Sequence, residues 1–352
     1  MKRQVPAGLW SALAPPLAVL AALVVGGGLV AALGRSPWEI YGVLAREAFG
    51  NSYGFGQVLF KATTLCATGL AAAVAFRAGL FNVGAEGQMV LGGLAAAAAA
   101  LALPAAAPAF VALPCAALGA AAAGAAWSSV AGGLRARFGV HEVIATILLN
   151  FIAIALANWI LVTHFAQFET LHTAEIPAAA RAARLETWVP GFRGAPVNTT
   201  VILQALLCVA VAVVLWRTRW GFEVRAVGQS EAAARAAGIP VRRRMVEAMA
   251  VSGALAGLAA TNFVQGYKYY FEEGFTADAG FRGIAVALLA RSHPLAMVPA
   301  ALLFGALDRG GFVLSRYVPK EFVDVLQALV LFFVVVFGPA LRSLAQRRAA
   351  RG

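Results

Sequence analysis

The sequence predicts an all-α protein, a polytopic bundle of transmembrane helices. Hydrophobic residues make up 61% of the 352 residues and charged residues only 12%, against roughly 25% charged in an ordinary soluble domain. The apolar residues also come in runs of about twenty, the length that crosses a hydrocarbon core. Too few polar groups remain to coat a water-soluble globule, so we expect one transmembrane domain over residues 1–352.

The apolar runs predict about ten spans, and short or broken spans are common in transporters. The expected spans are residues 9–33, 57–76, 86–103, 109–131, 143–165, 199–216, 246–264, 281–291, 295–308 and 322–341. Arg291 and Pro294 interrupt what would otherwise be one hydrophobic hairpin. A cleaved signal peptide competes for the first run, but that run is longer than a signal core and lacks a clear cleavage site.

The net charge of +12 would suit nucleic acid, but the basic residues fall in clusters between apolar runs. Clusters of this kind are typical of cytoplasmic loops, so we expect contact with membrane lipid, no nucleic-acid partner, and both termini in the cytoplasm. Residues 217–245 form a strongly basic cytoplasmic loop, and residues 166–197 form a mixed-charge extracytoplasmic loop. The asymmetry is a bias, because some basic residues also fall outside: Arg181, Arg184, Arg193, Arg316 and Lys320.

A faint internal repeat accompanies this topology. The segment 82–87 (NVGAEG) resembles 278–283 (DAGFRG), and each opens a membrane segment. Gly132-Gly133 followed by 141–144 likewise resembles Gly310-Gly311 followed by 320–323. The members of each pair run in opposite directions across the membrane, as in an inverted-topology repeat. Chance similarity among Gly- and Ala-rich helices is the alternative.

The stretch 76–88 packs glycines and polar groups between two hydrophobic runs. Backbone that leaves a helix at membrane depth needs protein or a water-filled cavity around it, and an ionisable group there needs a partner or a role. Asn82, Glu86 and Gln88 are therefore candidates to line a pathway or brace its wall. The alternative is a cytoplasmic turn in which Glu86 neutralises Arg77.

The basic loop contains signals for a short helix. Ser230 can cap a helix through Ala237, Gly238 suits its C-terminal turn, and Pro240 prevents continuation. Such a helix suits docking of a motor subunit, whereas a basic loop also arises from orientation and lipid contact alone.

Further polar residues lie in or beside the spans. Thr146 and Asn150 are four apart and share a helix face, so both are candidates for a pathway, as are Asn262 and Arg282. Hydrogen bonding between helices is the commoner role of such residues. Gly253 and Gly257 have GxxxG spacing, which favours close helix packing.

These stretches, with 144–150 (IATILLN) and 283–289 (GIAVALL), resemble the permeases of ABC importers for nucleosides and simple sugars, relatives of the ribose and branched-chain amino acid permeases. The similarity runs in order from about residue 40 to 340. It implies a subunit of a bacterial inner-membrane importer that pairs with a second permease, a cytoplasmic ABC ATPase that holds the ATP, and an extracytoplasmic substrate-binding protein. The loop around 228–238 resembles the family's coupling segment, with coupling candidates Arg225, Gly228, Glu231, Arg235 and Gly238.

The sequence supports other functional classes less well. The sequence has no G-x-x-x-x-G-K-[ST] phosphate loop and no G-x-S-x-G elbow, so we expect no enzyme activity and no cofactor on this chain. Cys66, Cys115 and Cys208 lie in apolar segments without metal-ligand spacing and are expected to be core residues. The alternative function, an ion-coupled secondary transporter or channel, should carry a buried acidic relay, and intramembrane carboxylates are few.

Overall fold

The computed structural model describes residues 7–104, 106–314, 319 and 321–349, with side chains over the same ranges except at 7–14 and 338–349. The positions of Arg316 and Lys320, used in the charge argument and the repeat, lie outside the described residues. Within the described ranges the protein is all-helical, with isolated β-bridges and no strand. The helices are α1 Ala7–Ala32, α2 Pro37–Phe49, α3 Ser52–Arg77, α4 Ala85–Leu101, α5 Ala109–Phe138, α6 Glu142–Ile160, α7 Thr200–Arg217, α8 Arg219–Gln229, α9 Glu231–Ala236, α10 Val241–Ala259, α11 Thr261–Val264, α12 Ala279–Leu289, α13 Met297–Leu314 and α14 Glu321–Ala349.

The all-α membrane class is confirmed. Within the described residues, seven helical segments are long and apolar enough to cross a membrane, and the helices Ala85–Leu101 and Ala279–Leu289 are apolar but shorter. A helix lies in each of the ten expected segments, although the number of spans stays a prediction. The break near residue 290 is confirmed, because α12 ends at Leu289 and a short 3-10 turn begins at Pro294.

Two helices were not anticipated. Helix α2 begins at Pro37, a residue whose fixed φ suits the first helical turn, and its mixed composition, with Glu39 and Arg46, is unlike that of a span. Helix α8 lies in the basic loop, where the Thr218 hydroxyl accepts a hydrogen bond from Gly221 N and caps its start. Both are amphipathic helices, and neither contains the long apolar run that marks a span.

Helix α3 is the centre of the bundle. Of its most apolar window 83% is buried within the protein, against 22% for α5 and 28% for α6 and α7. Helices α10, α12 and α13 pack along it. The thiols of Cys66 on α3 and Cys208 on α7 lie 3.3 Å apart in this core, which confirms the expectation for these two cysteines. For Cys115 it is wrong, because this side chain on α5 is partly exposed.

Helices α5 and α10 cross at glycines. A Cβ atom on Gly253 would come within 2.8 Å of the backbone carbon of Gly124, and Gly257 faces the backbone of Ala120 in the same way. The GxxxG spacing of the sequence therefore does bring two helix backbones together, because only residues without a side chain allow this approach.

The two short apolar helices meet end to end. An extended segment, residues 80–83, leads from α3 into the protein to the start of α4. The Thr68 hydroxyl, near the middle of α3, donates a hydrogen bond to the Ala279 carbonyl at 3.0 Å, which fixes the start of α12 at the same depth. The N-terminal ends of α4 and α12 therefore lie together inside the bundle.

Candidate functional site

The stretch 82–88 forms a buried turn whose polar groups are satisfied by the protein. Asn82 and Gln88 exchange two amide hydrogen bonds of 2.9 and 3.0 Å, and Asn82 also donates to the Ser252 hydroxyl at 2.8 Å. The Asn82 side-chain oxygen accepts from Gly84 N at 2.9 Å and so holds the turn shut. Both amide side chains are almost completely buried.

Helix α6 contributes the other half of this turn, which we call the polar turn. The Thr146 hydroxyl accepts from Val83 N, while Asn150 donates to the Val83 carbonyl at 2.9 Å and accepts from Gly87 N at 2.9 Å. Thr146 and Asn150 thus share a face, as predicted, and use it for bonds between segments. Every one of these groups is paired within the protein, which favours a bracing role for the polar turn.

Glu86 lies between the two helix starts. Its carboxylate accepts a hydrogen bond of 2.7 Å from Gly280 N, at the beginning of α12, and it belongs itself to the first turn of α4. A negative charge at a helix N-terminus is stabilised by the unpaired N–H groups and the helix dipole. Arg77 instead donates to the carbonyls of Ser292 and Arg291, so the alternative pairing of Glu86 with Arg77 is wrong.

Asn262 belongs to a second buried cluster. It donates to the Phe60 carbonyl at 2.9 Å and to the Thr64 hydroxyl at 2.8 Å, and its oxygen accepts from Asn198 at 3.0 Å. The cluster ties the loop before α7 to α3 and α11, which is again a bracing role.

A chamber lies between the Ser52 half of α3, the start of α12 and the end of α13. It consists of two adjoining cavities of about 250 and 530 Å³, both lined by Gln57, Lys61, Arg282 and Asp308. Four aromatic side chains line the smaller cavity: Phe60, Phe263, Tyr267 and Phe275. Of the predicted pathway residues, Arg282 alone lines this chamber.

The charged groups of the chamber are unequally paired. Arg282 donates to both carboxylate oxygens of Asp308 at 2.9 Å, and Gln327 donates to the same carboxylate at 2.7 Å. Lys61 is exposed to the chamber, and in the part of the chain that the structure describes no hydrogen bond or ion pair reaches its ammonium group. A charge without a partner in an apolar helix is costly unless it faces a water-filled space or a ligand.

Residues 219–244 build the second candidate site at the opposite end of α3. The Ser230 hydroxyl accepts from Ala233 N at 3.2 Å, α9 ends at Ala236, and Gly238 adopts φ 77°, so the expected cap and stop are confirmed within one residue. Arg235 is exposed, and Glu231 lies 3.5 Å from Arg135. Between α8 and the start of α10 is a cleft of about 450 Å³ lined in part by Phe222, which is 60% exposed.

Glu223 anchors α8 to α10 by ion pairs. Its two carboxylate oxygens accept from Arg244 at 2.6 Å and from Arg219 at 2.8 Å. The hydrogen bond from Arg244, followed by that from Arg219, holds the pKa of the Glu223 carboxyl below its usual value. Arg225 lies over the Trp216 ring and donates to the Gly221 carbonyl, so it packs within the loop.

Gly228 joins this loop to the end of α3. A Cβ atom on Gly228 would come within 2.7 Å of Gly79 N, and Gly79 itself has φ 72°. The two backbones can touch only because both residues lack a side chain. The contact places α8 directly on the segment that leads to the polar turn.

Sequence reasoning missed Lys61, Gln57 and Asp308. Lys61 is a charge inside the expected span 57–76, and Gln57 lies four residues before it on the same helix face. Asp308 closes the expected span 295–308. The presence of a charge inside an apolar run was the signal that could have identified them.

Known proteins of similar sequence are transporter subunits. The family described as branched-chain amino acid transport system / permease component matches residues 54–335. The chain is 36% identical to the guanosine ABC transporter permease protein NupP of Bacillus subtilis, over 92% of each chain. It is 36% identical to the glucose ABC transporter permease protein TsgB13 of Haloferax volcanii, over 95% of this chain and 89% of the relative.

A third relative is the nucleoside ABC transporter permease protein NupB of Lactococcus lactis, 31% identical over 92% of this chain and 90% of the relative. These matches cover nearly the whole chain, including the polar turn, the chamber and the basic loop. The chain therefore belongs to the permease component family of the branched-chain amino acid transport type.

Proposed function

We propose that this chain is the membrane-spanning permease of an ABC importer that translocates a nucleoside or a simple sugar. The observation that carries the proposal is the match along 92% of the chain to permeases whose names state guanosine and nucleoside transport. A glucose permease at the same level of identity keeps simple sugars in the substrate class. None of the contacts among the described residues favours an ion-coupled mechanism instead.

The proposed orientation places both termini in the cytoplasm of a bacterial cell, with about ten crossings of the inner membrane. The basic loop 217–245 then lies inside, and the loop 166–197 lies outside. In this orientation the Ser52 end of α3 and the chamber face the extracytoplasmic side, while Arg77 and α8 face the ATPase. The transport substrate would enter at one end of α3, and the driving force would act at the other.

An inverted repeat is part of the proposal. If α3, α4, α5 and α6 correspond to α10, α12, α13 and α14, then α5 packs on α10 as α13 packs on α3, and α4 packs on α10 as α12 packs on α3. The N-terminal ends of α4 and α12 meet at the junction of the two halves. Transporters of this plan place substrate near such broken helices.

The residues 217–245 form the proposed coupling segment. Arg235 and most of α9 are exposed, as docking requires, and the Ser230 cap with Gly238 at the end keeps this helix in a fixed shape. Gly228 touches the backbone at Gly79, which leads through the polar turn to Glu86 and then to Gly280 on α12. Motion of α8 would therefore reach the start of α12, which borders the chamber.

The proposed partners follow from the division of labour in such an importer. A cytoplasmic ABC ATPase, which holds the ATP, docks on the coupling segment. A second permease subunit completes the pathway, and an extracytoplasmic binding protein docks on the loop 166–197. Trp188, which is 62% exposed, and Phe168, which is 89% exposed, offer apolar anchors in that loop. The proposed role of this chain is to supply the pathway without hydrolysing ATP itself.

Uptake by the assembled complex tests the proposal. The chain should co-purify with the ATPase and the second permease, and proteoliposomes holding the complex and the binding protein should accumulate inosine, uridine, ribose or glucose only with ATP. Uptake by this chain alone, without ATP, would contradict the importer function.

A proline in α9 tests the coupling segment. Ala233→Pro should remove the Ala233 N–H that the Ser230 hydroxyl accepts from and distort α9, so that ATP is hydrolysed without uptake. Ala233→Ser, which keeps the backbone N–H at this position, serves as the control. Equal coupling in wild type and Ala233→Pro would rule out a docking role for α9.

A further inference from the structure

The chamber combines an aromatic wall with polar side chains. The rings of Phe60 and Tyr267 meet edge to face at 5.2 Å and those of Phe263 and Tyr267 at 5.7 Å, while the tilted rings of Phe263 and Phe275 lie 4.9 Å apart. These four rings form one continuous aromatic wall. Gln57 and Lys61 line the same cavity from consecutive turns of α3, the helix that also carries Phe60. A planar ligand can contact the rings and reach the neighbouring hydrogen-bond donors.

The charge distribution leaves a single uncompensated cation in the chamber, too little to compensate a multiply charged anion. Arg282 is neutralised by Asp308, with Asp324 at 3.7 Å, and Arg309 lies 3.7 Å from Glu47. Of the cations lining the chamber, Lys61 alone has no ion pair in the described part of the chain. One donor cation beside an aromatic wall suits a neutral group with a polarised acceptor oxygen, since an ammonium offers three donors and no acceptor.

The hydrogen-bond acceptors of the chamber lining also limit which ligand fits. Both oxygens of the Asp308 carboxylate are already occupied by Arg282 and Gln327. The Thr64 hydroxyl already accepts from Asn262. The Asp324 carboxylate, which is 59% exposed, lines only the larger cavity, so the carboxylate beside the aromatic wall is the engaged one of Asp308. A heterocycle with ring carbonyls has the complementary pattern.

From these observations we propose that the chamber is a substrate site within the membrane domain that holds a neutral, carbonyl-bearing nucleobase, with the Lys61 ammonium donating to a base carbonyl and the aromatic wall stacking on the ring. Gln57 donates one amide N–H to the Tyr53 hydroxyl at 3.0 Å and keeps its other N–H as a second donor beside Lys61. This inference rests on the proposed import function and goes beyond it by assigning the site and the part of the substrate that it recognises.

Transport of two matched nucleosides tests the role of Lys61. Inosine has a carbonyl on its base, and purine riboside is the same nucleoside without it. In proteoliposomes with the complete importer, Lys61→Met should raise the half-saturating concentration for inosine about tenfold, the effect of one charged hydrogen bond. The value for purine riboside should change much less. Because the binding protein is unchanged, its own preference cancels from the ratio of the two effects.

Arg35→Met is the control, because Arg35 is an exposed cation between α1 and α2 that lines neither cavity of the chamber. It should leave both half-saturating concentrations unchanged. Lys61→Arg should restore the preference for inosine in part, since it keeps a donor cation.

Protection of an introduced thiol gives a second readout that needs no turnover. Lys61→Cys, with the partly exposed Cys115 replaced by alanine, should react in the assembled complex with a small membrane-impermeant thiol reagent, because the side chain at 61 is exposed to the chamber, whereas Cys66 and Cys208 are buried. Inosine should slow this reaction in proportion to its occupancy of the site. Ribose and leucine should not slow it, and labelling of Arg35→Cys should respond to none of the three compounds.

The outcomes separate the two proposals. If the wild-type complex takes up no nucleoside or sugar with ATP, the proposed import function fails. If it imports ribose, glucose or leucine but not inosine or uridine, import stands and the nucleobase site is wrong. If it imports inosine but Lys61→Met acts equally on inosine and purine riboside, or inosine fails to protect Lys61→Cys, the assignment of the chamber is overturned.

Discussion

The polar turn and the chamber contain similar residues in opposite states. Both place amides and charges between apolar helices, but Asn82 and Gln88 have their amide groups paired and are 0% and 1% exposed. In the chamber, Gln57 is half-buried and bonds only the Tyr53 hydroxyl, and Lys61 has no partner among the described residues. Fully paired polar groups hold a structure in place, whereas N–H groups left over at a cavity can still bind a ligand. The comparison therefore predicts a structural role for Gln88 and is consistent with the binding role proposed for Gln57.

The largest effect is expected from Asn82→Leu in the polar turn. The change leaves the Gln88 amide and Gly84 N without their partner, and each unsatisfied buried group costs about 1–3 kcal/mol. We expect the free energy of unfolding to fall by about 2–4 kcal/mol. The apparent Tm of the purified protein in detergent measures it, and a Tm equal to that of wild type would show that the turn is not a brace.

A smaller effect is expected from Asp308→Asn, which breaks the best-paired contact of the chamber. Arg282 loses its charged partner but remains 32% exposed, so the loss of stability should be about 1–2 kcal/mol, below that of a fully buried pair. The rate of substrate uptake should fall by a larger factor than this loss of stability explains. Asp324→Asn is the control, because that side chain is 59% exposed and lies 3.7 Å from Arg282. If both variants behave alike, Asp308 has no special role.

Gln57→Leu and Gln88→Leu make the same substitution in the chamber and in the polar turn. In the chamber, Gln57→Leu should change the free energy of unfolding by less than about 0.5 kcal/mol and raise the half-saturating concentration of the substrate about threefold. In the polar turn, Gln88→Leu should lower the Tm and the yield, while the protein that folds keeps its substrate affinity. The reverse pattern would exchange the roles of the two regions.

The smallest effect concerns the Glu223 ion pairs and depends on pH. Since the pKa of Glu223 is lower in the folded protein than its ordinary value of 4.5, its stabilising contribution is present above pH 4.5 and disappears as the pH falls through the lowered value. The Tm difference between wild type and Glu223→Gln should therefore be constant near neutrality and shrink below pH 4.5. A difference that grows on acidification would mean that the carboxylate is not stabilised by Arg244 and Arg219.

Local features were predictable because they depend on neighbouring residues. The Ser230 cap, the Gly238 turn and the break at Arg291 each depend on residues within one or two turns of the chain. The choice of 82–88 as an unusual stretch was equally local, since glycines and polar groups interrupt two apolar runs there. The amphipathic helices α2 and α8 escaped because they lack a long apolar run.

The sequence by itself determined that this is a helical membrane protein, because burying an apolar run of about twenty residues requires a membrane or a core, and it identified the polar residues that need a partner. Only the tertiary structure decided which partner each one has. Asn82 meets Ser252 and Glu86 meets Gly280 across 170 and 194 residues of chain. Helix periodicity repeats every few residues and contains no information about such pairings. The same distant packing leaves Lys61 facing a cavity, a placement that the sequence of α3 does not contain.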